Sequence, residues 1–209
     1  QDLGIVDDPY VDLATVSTQV GTADHLATLQ GITDRTTTLV RNTGRLLPLS
    51  PAESGQDVFV TGWGMSTTST VASGLEDRDF ATTVDETGTN PNQATIDAAA
   101  AQARQHDLTV VVTNRAGLAT QQGQAALVRA LIKTKRPVVA VAVRDPYDVN
   151  RFPIVTAYLA TYSYTPAALN SLVRVLVGEL EPSGRLPVTI PEVGTKQRVL
   201  YPYGHGMRY

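Results

Sequence analysis

The sequence predicts an α/β fold with a doubly wound, mostly parallel sheet that carries helices on both faces. Three short runs are rich in apolar and β-branched residues, and they span 57–62, 108–113 and 137–143. Strands that are apolar on both sides belong to sheets that are covered on both faces, and such sheets are typically parallel. Segments of about ten to fifteen residues with helical character alternate with the runs, as strand–helix–strand units require.

The first half of the chain predicts a linker followed by the start of this sheet. Residues 1–12 carry Gly, Pro and four Asp without periodicity, and we interpret 1–21 as an interdomain linker and 22–209 as one domain. The segment 22–40 has helical spacing, with Thr22 or Asp24 as a possible cap. The further elements predicted here are a strand at 57–62, a polar Ser-, Thr- and Gly-rich loop at 64–79, a short strand at 80–84 and a helix at 92–105.

The second half continues the alternation. Strands are predicted at 108–113, 137–143 and 154–160, with helices at 121–134 and 166–177. Pro166 lies in the first turn of the last helix and Gly178 follows its end, which is the usual asymmetry of helix termini.

Composition excludes several classes of protein. The 209 residues are 42% hydrophobic and 18% charged, with a net charge of −3, which describes an ordinary globular domain without a membrane span. Lys and Arg are not clustered as nucleic acid or an anionic membrane would require. The absence of Cys excludes disulfides and thiolate catalysis. Because the chain opens on Gln1 without a leader, we expect a fragment or a processed product.

Ligands of open parallel sheets bind at the carboxyl ends of the strands, so the loops there are the candidate site. These loops are 62–65, 114–117, 144–147 and 162–164. The pair Gly62 and Gly64 does not continue into the glycine-rich fingerprint of a dinucleotide site, because position 67 is Thr. Trp63 either stacks on a sugar face or fills an interface with a neighbouring domain, and we favour the interface.

Polar side chains in two of these loops have competing interpretations. Asn114 and Arg115 project where a cleft would lie, and the fork of Arg115 suits hydroxyl or carboxylate oxygens, although an ion-paired Arg is the commoner case. Asp145 and Asp148 lie close together, and we favour loop-capping roles over catalysis for both.

The remaining ionisable groups predict no catalytic centre. The acidic cluster of Glu76, Asp77, Asp79, Asp85 and Glu86 is interpreted as a solvated loop, although one member could serve a carboxylate pair. A structural hydrogen bond is the expected role of His25, His106 and His205. No metal-ligand spacing is present, and no metal or cofactor is expected.

The end of the chain resembles a known family. The segments PSGRLPVTIP at 182–191 and YPYGHGMRY at 201–209 are similar to the end of the second domain of glycoside hydrolase family 3 enzymes. The run LVRNTGRLLPL at 39–49 is similar to the start of that domain. RDPYD at 144–148 and AYLATY at 157–162 look closer to the β-N-acetylglucosaminidase branch than to the β-glucosidases.

The resemblance implies a retaining hydrolase in which a preceding (β/α)8 barrel carries the nucleophilic Asp and this flavodoxin-like α/β sandwich packs beside it. The β-glucosidase branch places an acid/base Glu in the second domain, whereas the β-N-acetylglucosaminidase branch uses a His/Asp pair on a barrel loop. Residues 115–123 contain no acidic residue, so no acid/base role transfers to this chain.

The resulting predictions are a domain that is inactive alone, with the barrel and a carbohydrate as partners and with Asn114, Arg115 and Tyr147 facing substrate. An extracellular or cell-envelope location is expected. One alternative is a freestanding carbohydrate-binding or scaffold module. A flavodoxin-like cofactor binder ranks below both, because a phosphate loop is lacking.

Overall fold

A computed structural model describes residues 10–50, 56–195 and 197–209. Its centre is a six-stranded sheet in the order β1–β6–β5–β4–β2–β3. The strands are β1 Thr38–Asn42, β2 Asp57–Gly62, β3 Ala81–Glu86, β4 Leu108–Thr113, β5 Val138–Ala142 and β6 Ala157–Ala160. All neighbouring strands are parallel except β1, which pairs antiparallel with β6. The predicted fold class is confirmed.

Six α-helices accompany the sheet within the described residues. They are α1 Leu13–Gln19, α2 Ala23–Thr36, α3 Thr67–Glu76, α4 Gln93–Ala103, α5 Gln122–Lys133 and α6 Pro166–Leu176. Short 3-10 turns occur at Thr43–Arg45, Ala119–Gln121 and Pro146–Arg151. None of these helices is long and apolar enough to cross a bilayer.

Two hydrophobic cores lie on opposite faces of the sheet because successive strand residues point to opposite sides. In β4, Val110 and Val112 join the core beneath α3 and α6, whereas Val111 joins the core beneath α4 and α5. Both kinds of position are fully buried. The residues of β4 are therefore apolar on both sides of the strand because helices cover both faces of the sheet.

The carboxyl terminus closes the β1 edge of the sheet. Met207 N donates to Leu39 O at 2.8 Å, and His205 Nε2 lies 2.8 Å from Val40 O. A second, two-stranded sheet of β7 Ile190–Pro191 and β8 Val199–Tyr201 lies in this tail. The unpaired groups of an edge strand are thus partly satisfied by the chain's own tail.

Two sequence predictions are wrong. The helix predicted over 22–40 ends at Thr36, and its last residues form β1, where the β-branched Thr37 and Thr38 favour extended backbone. The polar loop predicted over 64–79 contains α3, whose Thr68, Val71 and Leu75 are buried against the sheet. Ser, Thr and Gly have low intrinsic helix propensity, but burial of this stripe outweighs that preference.

The linker predicted over 1–21 lies partly outside the described residues. From Tyr10 onward it includes α1, which is capped by Asp12 and has no buried residue. Its extent as a linker stays a prediction.

Candidate functional site

The loops that follow β4, β5 and β6 meet at one edge of the sheet. The register aligns Thr113 of β4 with Ala142 of β5, and Ala142 with Ala160 of β6. Parallel strands that end together present their following loops side by side, as the sequence analysis anticipated. A cleft of about 220 Å³ opens between the first two loops, and Arg115, Asp145, Tyr147 and Arg151 are among the residues that line it.

Gln124 of α5 fixes the beginning of the loop after β4. Its Oε1 accepts from Asn114 N at 2.8 Å, and its Nε2 donates to Asn114 O at 3.0 Å and to Thr89 O at 2.9 Å. Gln124 is 1% exposed, so these bonds satisfy an amide that is shielded from water. The backbone of Asn114 is consequently held on both its donor and its acceptor side.

Asp148 fixes the same loop from the side of β5. Its Oδ2 accepts from Thr113 Oγ1 at 2.8 Å, and the backbone amides of Ala116 and Gly117 lie near the carboxylate. Burial raises the pKa of Asp148 to about 6, and the charge of Asp145 adds to this rise, whereas the hydrogen bonds act to lower the pKa. The loop-capping interpretation therefore agrees with the geometry of Asp148.

Arg115 stands at the apex of this fixed loop. Its backbone is in the left-handed region, with φ of 57°, and its Nε donates to Asp145 Oδ2 at 2.8 Å. Both side chains are about two-fifths exposed, so the pair is accessible to solvent at the mouth of the cleft. Left-handed backbone in a residue other than Gly costs free energy and often marks a functional loop. The ion pair agrees with the commoner interpretation of this Arg.

The structure brings Arg115 and Tyr147 together at the cleft, whereas Asn114 lies outside the cleft lining. Arg115 and Tyr147 both line the cleft, and Tyr147 is 43% exposed. Asn114 is 7% exposed, does not line the cleft and is engaged through its backbone. Contact of these three residues with a substrate stays a prediction.

Sequence reasoning missed Gln124 and Arg151. Gln124 occupies the buried stripe of α5 with Leu127, Val128 and Leu131, and an amide in such a stripe signals a buried hydrogen-bond network. Arg151 lines the cleft and donates from Nη2 to Gly117 O at 3.1 Å. No local pattern identifies Arg151, because its contact is made by a loop 34 residues away.

Trp63 fills neither of its predicted roles. It is 7% exposed and belongs to the core beneath α3 and α6, with its ring 5.1 Å from that of Tyr164 in an edge-on arrangement. A ring buried within the domain cannot stack on a sugar at the surface or fill a domain interface.

The acidic cluster is not confined to a loop. Glu76 ends α3 and accepts a hydrogen bond from Thr82, while Asp85 and Glu86 belong to β3. Four of the five carboxylates are exposed, and Asp85 is half-buried, which favours the solvated interpretation.

Two of the histidines have structural contacts. Besides His205, His106 has Nδ1 at 2.8 Å from Gln102 O, and its ring packs on Phe59. Among the described residues, no group of three His, Asp or Glu is arranged to hold a metal ion.

Solved structures with a similar fold include β-N-acetylglucosaminidases and β-glucosidases. A family 3 β-N-acetylglucosaminidase from Paenibacillus sp. str. FPU-7 is 23% identical, with a TM-score of 0.69 over 79% of this chain and 32% of that enzyme. A fungal multi-domain family 3 β-N-acetylglucosaminidase is 28% identical, with a TM-score of 0.69 over 92% of this chain and 21% of its own. A β-glucosidase from Listeria innocua in complex with isofagomine is 18% identical, with a TM-score of 0.80 over 100% of this chain and 37% of that enzyme.

The chain thus spans between 21% and 37% of the length of these enzymes. No curated protein matches it. The model of the glycosyl hydrolase family 3 C-terminal domain matches residues 37–209, which confirms the resemblance noted in the sequence. The chain therefore belongs to the family of glycoside hydrolase family 3 C-terminal domains.

Proposed function

We propose that this domain is the non-catalytic part of a retaining, β-N-acetylglucosaminidase-like hydrolase, packing on a preceding (β/α)8 barrel and helping to form the sugar cleft. The observation that carries the proposal is the state of the carboxylates at the cleft. Asp145 is held by Arg115, and Asp148 is 2% exposed and holds the loop after β4.

Glycoside cleavage with retention needs two accessible carboxyl groups about 5 Å apart, on opposite sides of the scissile bond. Asp145 and Asp148 come from a single turn, and only Asp145 reaches solvent. The loop at 115–123 supplies no third carboxylate. The reactive pair would therefore lie in another part of the enzyme.

The outer surface of α2 supports a covering partner. Leu26, Leu29 and Ile32 are 58%, 39% and 55% exposed, whereas a helix on the surface of an isolated domain normally turns such residues inward. A preceding domain of the same polypeptide is the occupant that fits, because the matching family is a C-terminal domain and the related enzymes are several times longer.

The inner side of α2 is polar, which makes the exposure of its apolar side unusual. Arg174 Nη1 donates to both carboxylate oxygens of Asp34 at 2.9 Å, and Gln30 Nε2 donates to Ser171 Oγ at 2.8 Å. These bonds hold α2 on α6, and the leucines of α2 take no part in them. Residues 1–21 would then connect the two domains.

The β-N-acetylglucosaminidase branch is favoured by sequence rather than by shape. The fungal β-N-acetylglucosaminidase is 28% identical to this chain, whereas the Listeria innocua β-glucosidase is 18% identical. The absence of an acidic residue from 115–123 points the same way. A substrate in cell-wall or chitin fragments would accord with an extracellular or cell-envelope location, which fractionation of the source cells tests.

The direct test compares two purified proteins on an aryl β-N-acetylglucosaminide and on the matching aryl β-glucoside. One is the 209-residue chain, and the other is the longer product of the same gene with its upstream sequence. We expect no hydrolysis by the chain alone and preferential cleavage of the N-acetylglucosaminide by the longer product. Turnover by the isolated chain would contradict the proposal, and preference for the glucoside would contradict the branch.

A further inference from the structure

Two arginines line the cleft between the loops after β4 and β5. Arg115 and Arg151 line it together with Asp145 and the buried Asp148, and Arg144 lies on the loop after β5 but outside the lining. Among the described residues, Arg144 and Arg151 have no carboxylate within ion-pair distance. Of the two arginines in the lining, only Arg115 is ion-paired among the described residues.

We propose that this cleft binds an anionic group, a carboxylate or a phosphate, that is carried on a sugar. The inference rests on the proposed function for the sugar itself and adds the charge of the recognised substituent. A guanidinium offers a planar fork of N–H donors that matches both anions.

Both arginines keep donors available for such a group. Arg115 uses Nε for Asp145, and Arg151 uses Nη2 for Gly117 O at 3.1 Å. No other hydrogen bond between described residues uses their guanidinium nitrogens. Because a guanidinium has five N–H donors, each side chain can bind an anion without breaking its existing contact.

The loop that presents Arg115 is held in place before any ligand arrives. Gln124 binds the backbone of Asn114, which precedes Arg115, and Asp148 accepts from Thr113 with the amides of Ala116 and Gly117 near its carboxylate. A donor on a loop that is already ordered pays less conformational entropy on binding. The buried Gln124 and Asp148 therefore make this an organised site rather than a chance meeting of surface charges.

The walls of the cleft suit the body of a sugar. Tyr147 and Leu118 line it and are 43% and 44% exposed. An aromatic ring offers an apolar face to the C–H groups of a pyranose, with a hydroxyl at its edge for a hydrogen bond. The volume of about 220 Å³ accommodates part of a ligand, such as one substituted ring edge.

The test measures binding of three monosaccharides to the 209-residue chain by isothermal titration calorimetry or by NMR shifts. The probes are glucuronate, glucose 6-phosphate and glucose, which separate carboxylate, phosphate and neutral ligands. We expect at least one anion to bind on the order of tenfold more tightly than glucose, as a hydrogen bond to a charged group provides. We also expect its affinity to fall as salt rises.

Three variants make the assignment specific to these side chains. Arg151→Gln, on an exposed position, should weaken anion binding by on the order of tenfold. Asp145→Asn should strengthen it, because it removes the competing charge from Arg115, and a merely structural role would not give this sign. Arg136→Gln, exposed at the opposite end of β5, is the matched control and should change nothing.

Equal affinities for glucuronate, glucose 6-phosphate and glucose would overturn the inference, as would an unchanged affinity in Arg151→Gln or a failure to bind any probe. The proposed function is judged separately by hydrolysis of the aryl N-acetylglucosaminide, so it can stand when the anion preference fails.

Discussion

Replacing Asp148 with Asn should make the domain more stable near neutral pH. Burial raises the pKa of this carboxyl from 3.8 to about 6, so the folded protein favours its neutral form. The stability that the neutral form provides is fully present below pH 3.8 and is lost as pH rises through 6. Asn stays neutral at every pH, and its Oδ1 can accept from the loop amides while its Nδ2 can donate to Thr113 Oγ1.

The size of the effect follows from the pKa difference. A rise of about two pKa units corresponds to about 3 kcal/mol at about 1.4 kcal/mol per unit. Above pH 7 the free energy of unfolding of Asp148→Asn should exceed that of the unchanged chain by up to this amount. Near pH 4 the difference should shrink to a small fraction of this value, because Asp148 is then almost fully protonated in the folded state and about two-fifths protonated in the unfolded state.

Urea unfolding between pH 4 and pH 8 measures this difference, and the fluorescence of Trp63, the single Trp, reports the transition. Asp97→Asn, on the exposed side of α4, controls for the loss of one negative charge. Contributions of other ionisable groups cancel when the two proteins are subtracted. A difference in unfolding free energy that stays constant across this pH range would refute the assignment of the buried, neutral-favouring carboxyl.

Three further predictions follow from single contacts. Gln124→Leu should destabilise the domain by about 2 kcal/mol because it leaves the buried N–H of Asn114 without a partner, whereas Gln122→Leu, at an exposed position, should not. Chemical unfolding compares the two variants. Gly62→Ala should lower the free energy of unfolding by about 2 kcal/mol or more, because Gly62 has φ of 112° and a Cβ there would meet the backbone of Val112. A melting temperature equal to that of the unchanged chain would disprove this. Ile32→Glu should leave the isolated chain folded but weaken its contact with the proposed upstream domain. Faster proteolysis between the two domains of the longer gene product would show this, and equal proteolysis would argue against α2 as the covered face.

The central strands could be predicted from sequence because the local pattern of apolar residues reflects their burial. The bounds predicted for β2 and β4 coincide with the observed ones, since both strands are covered on both faces and are apolar throughout their centres. In contrast, α3 was not predicted because its Ser, Thr and Gly residues are poor helix formers, although Thr68, Val71 and Leu75 are spaced as on one face of a helix. In α2 the apolar residues point away from the domain, so the local pattern does not reveal which side packs on α6.

The position of the candidate site could also be predicted, but its internal contacts could not. The rule that ligands bind beyond the carboxyl ends of parallel strands selected the loops of Arg115 and Tyr147. The bonds from Gln124 and Asp148 that order these loops join residues 10 and 35 positions apart in the chain. Such pairs depend on how helices and loops pack in three dimensions, and a local sequence pattern does not predict that packing.

The most direct test of the proposed function is to locate the reactive carboxylates of the proposed hydrolase. A fluorinated β-glycoside that traps the covalent glycosyl-enzyme intermediate of a retaining hydrolase would be reacted with the longer gene product, and the labelled peptide identified by mass spectrometry. The account predicts that the label lies on a residue encoded upstream of Gln1. A label on Asp145, on Asp148 or on any other residue of the 209 would contradict it.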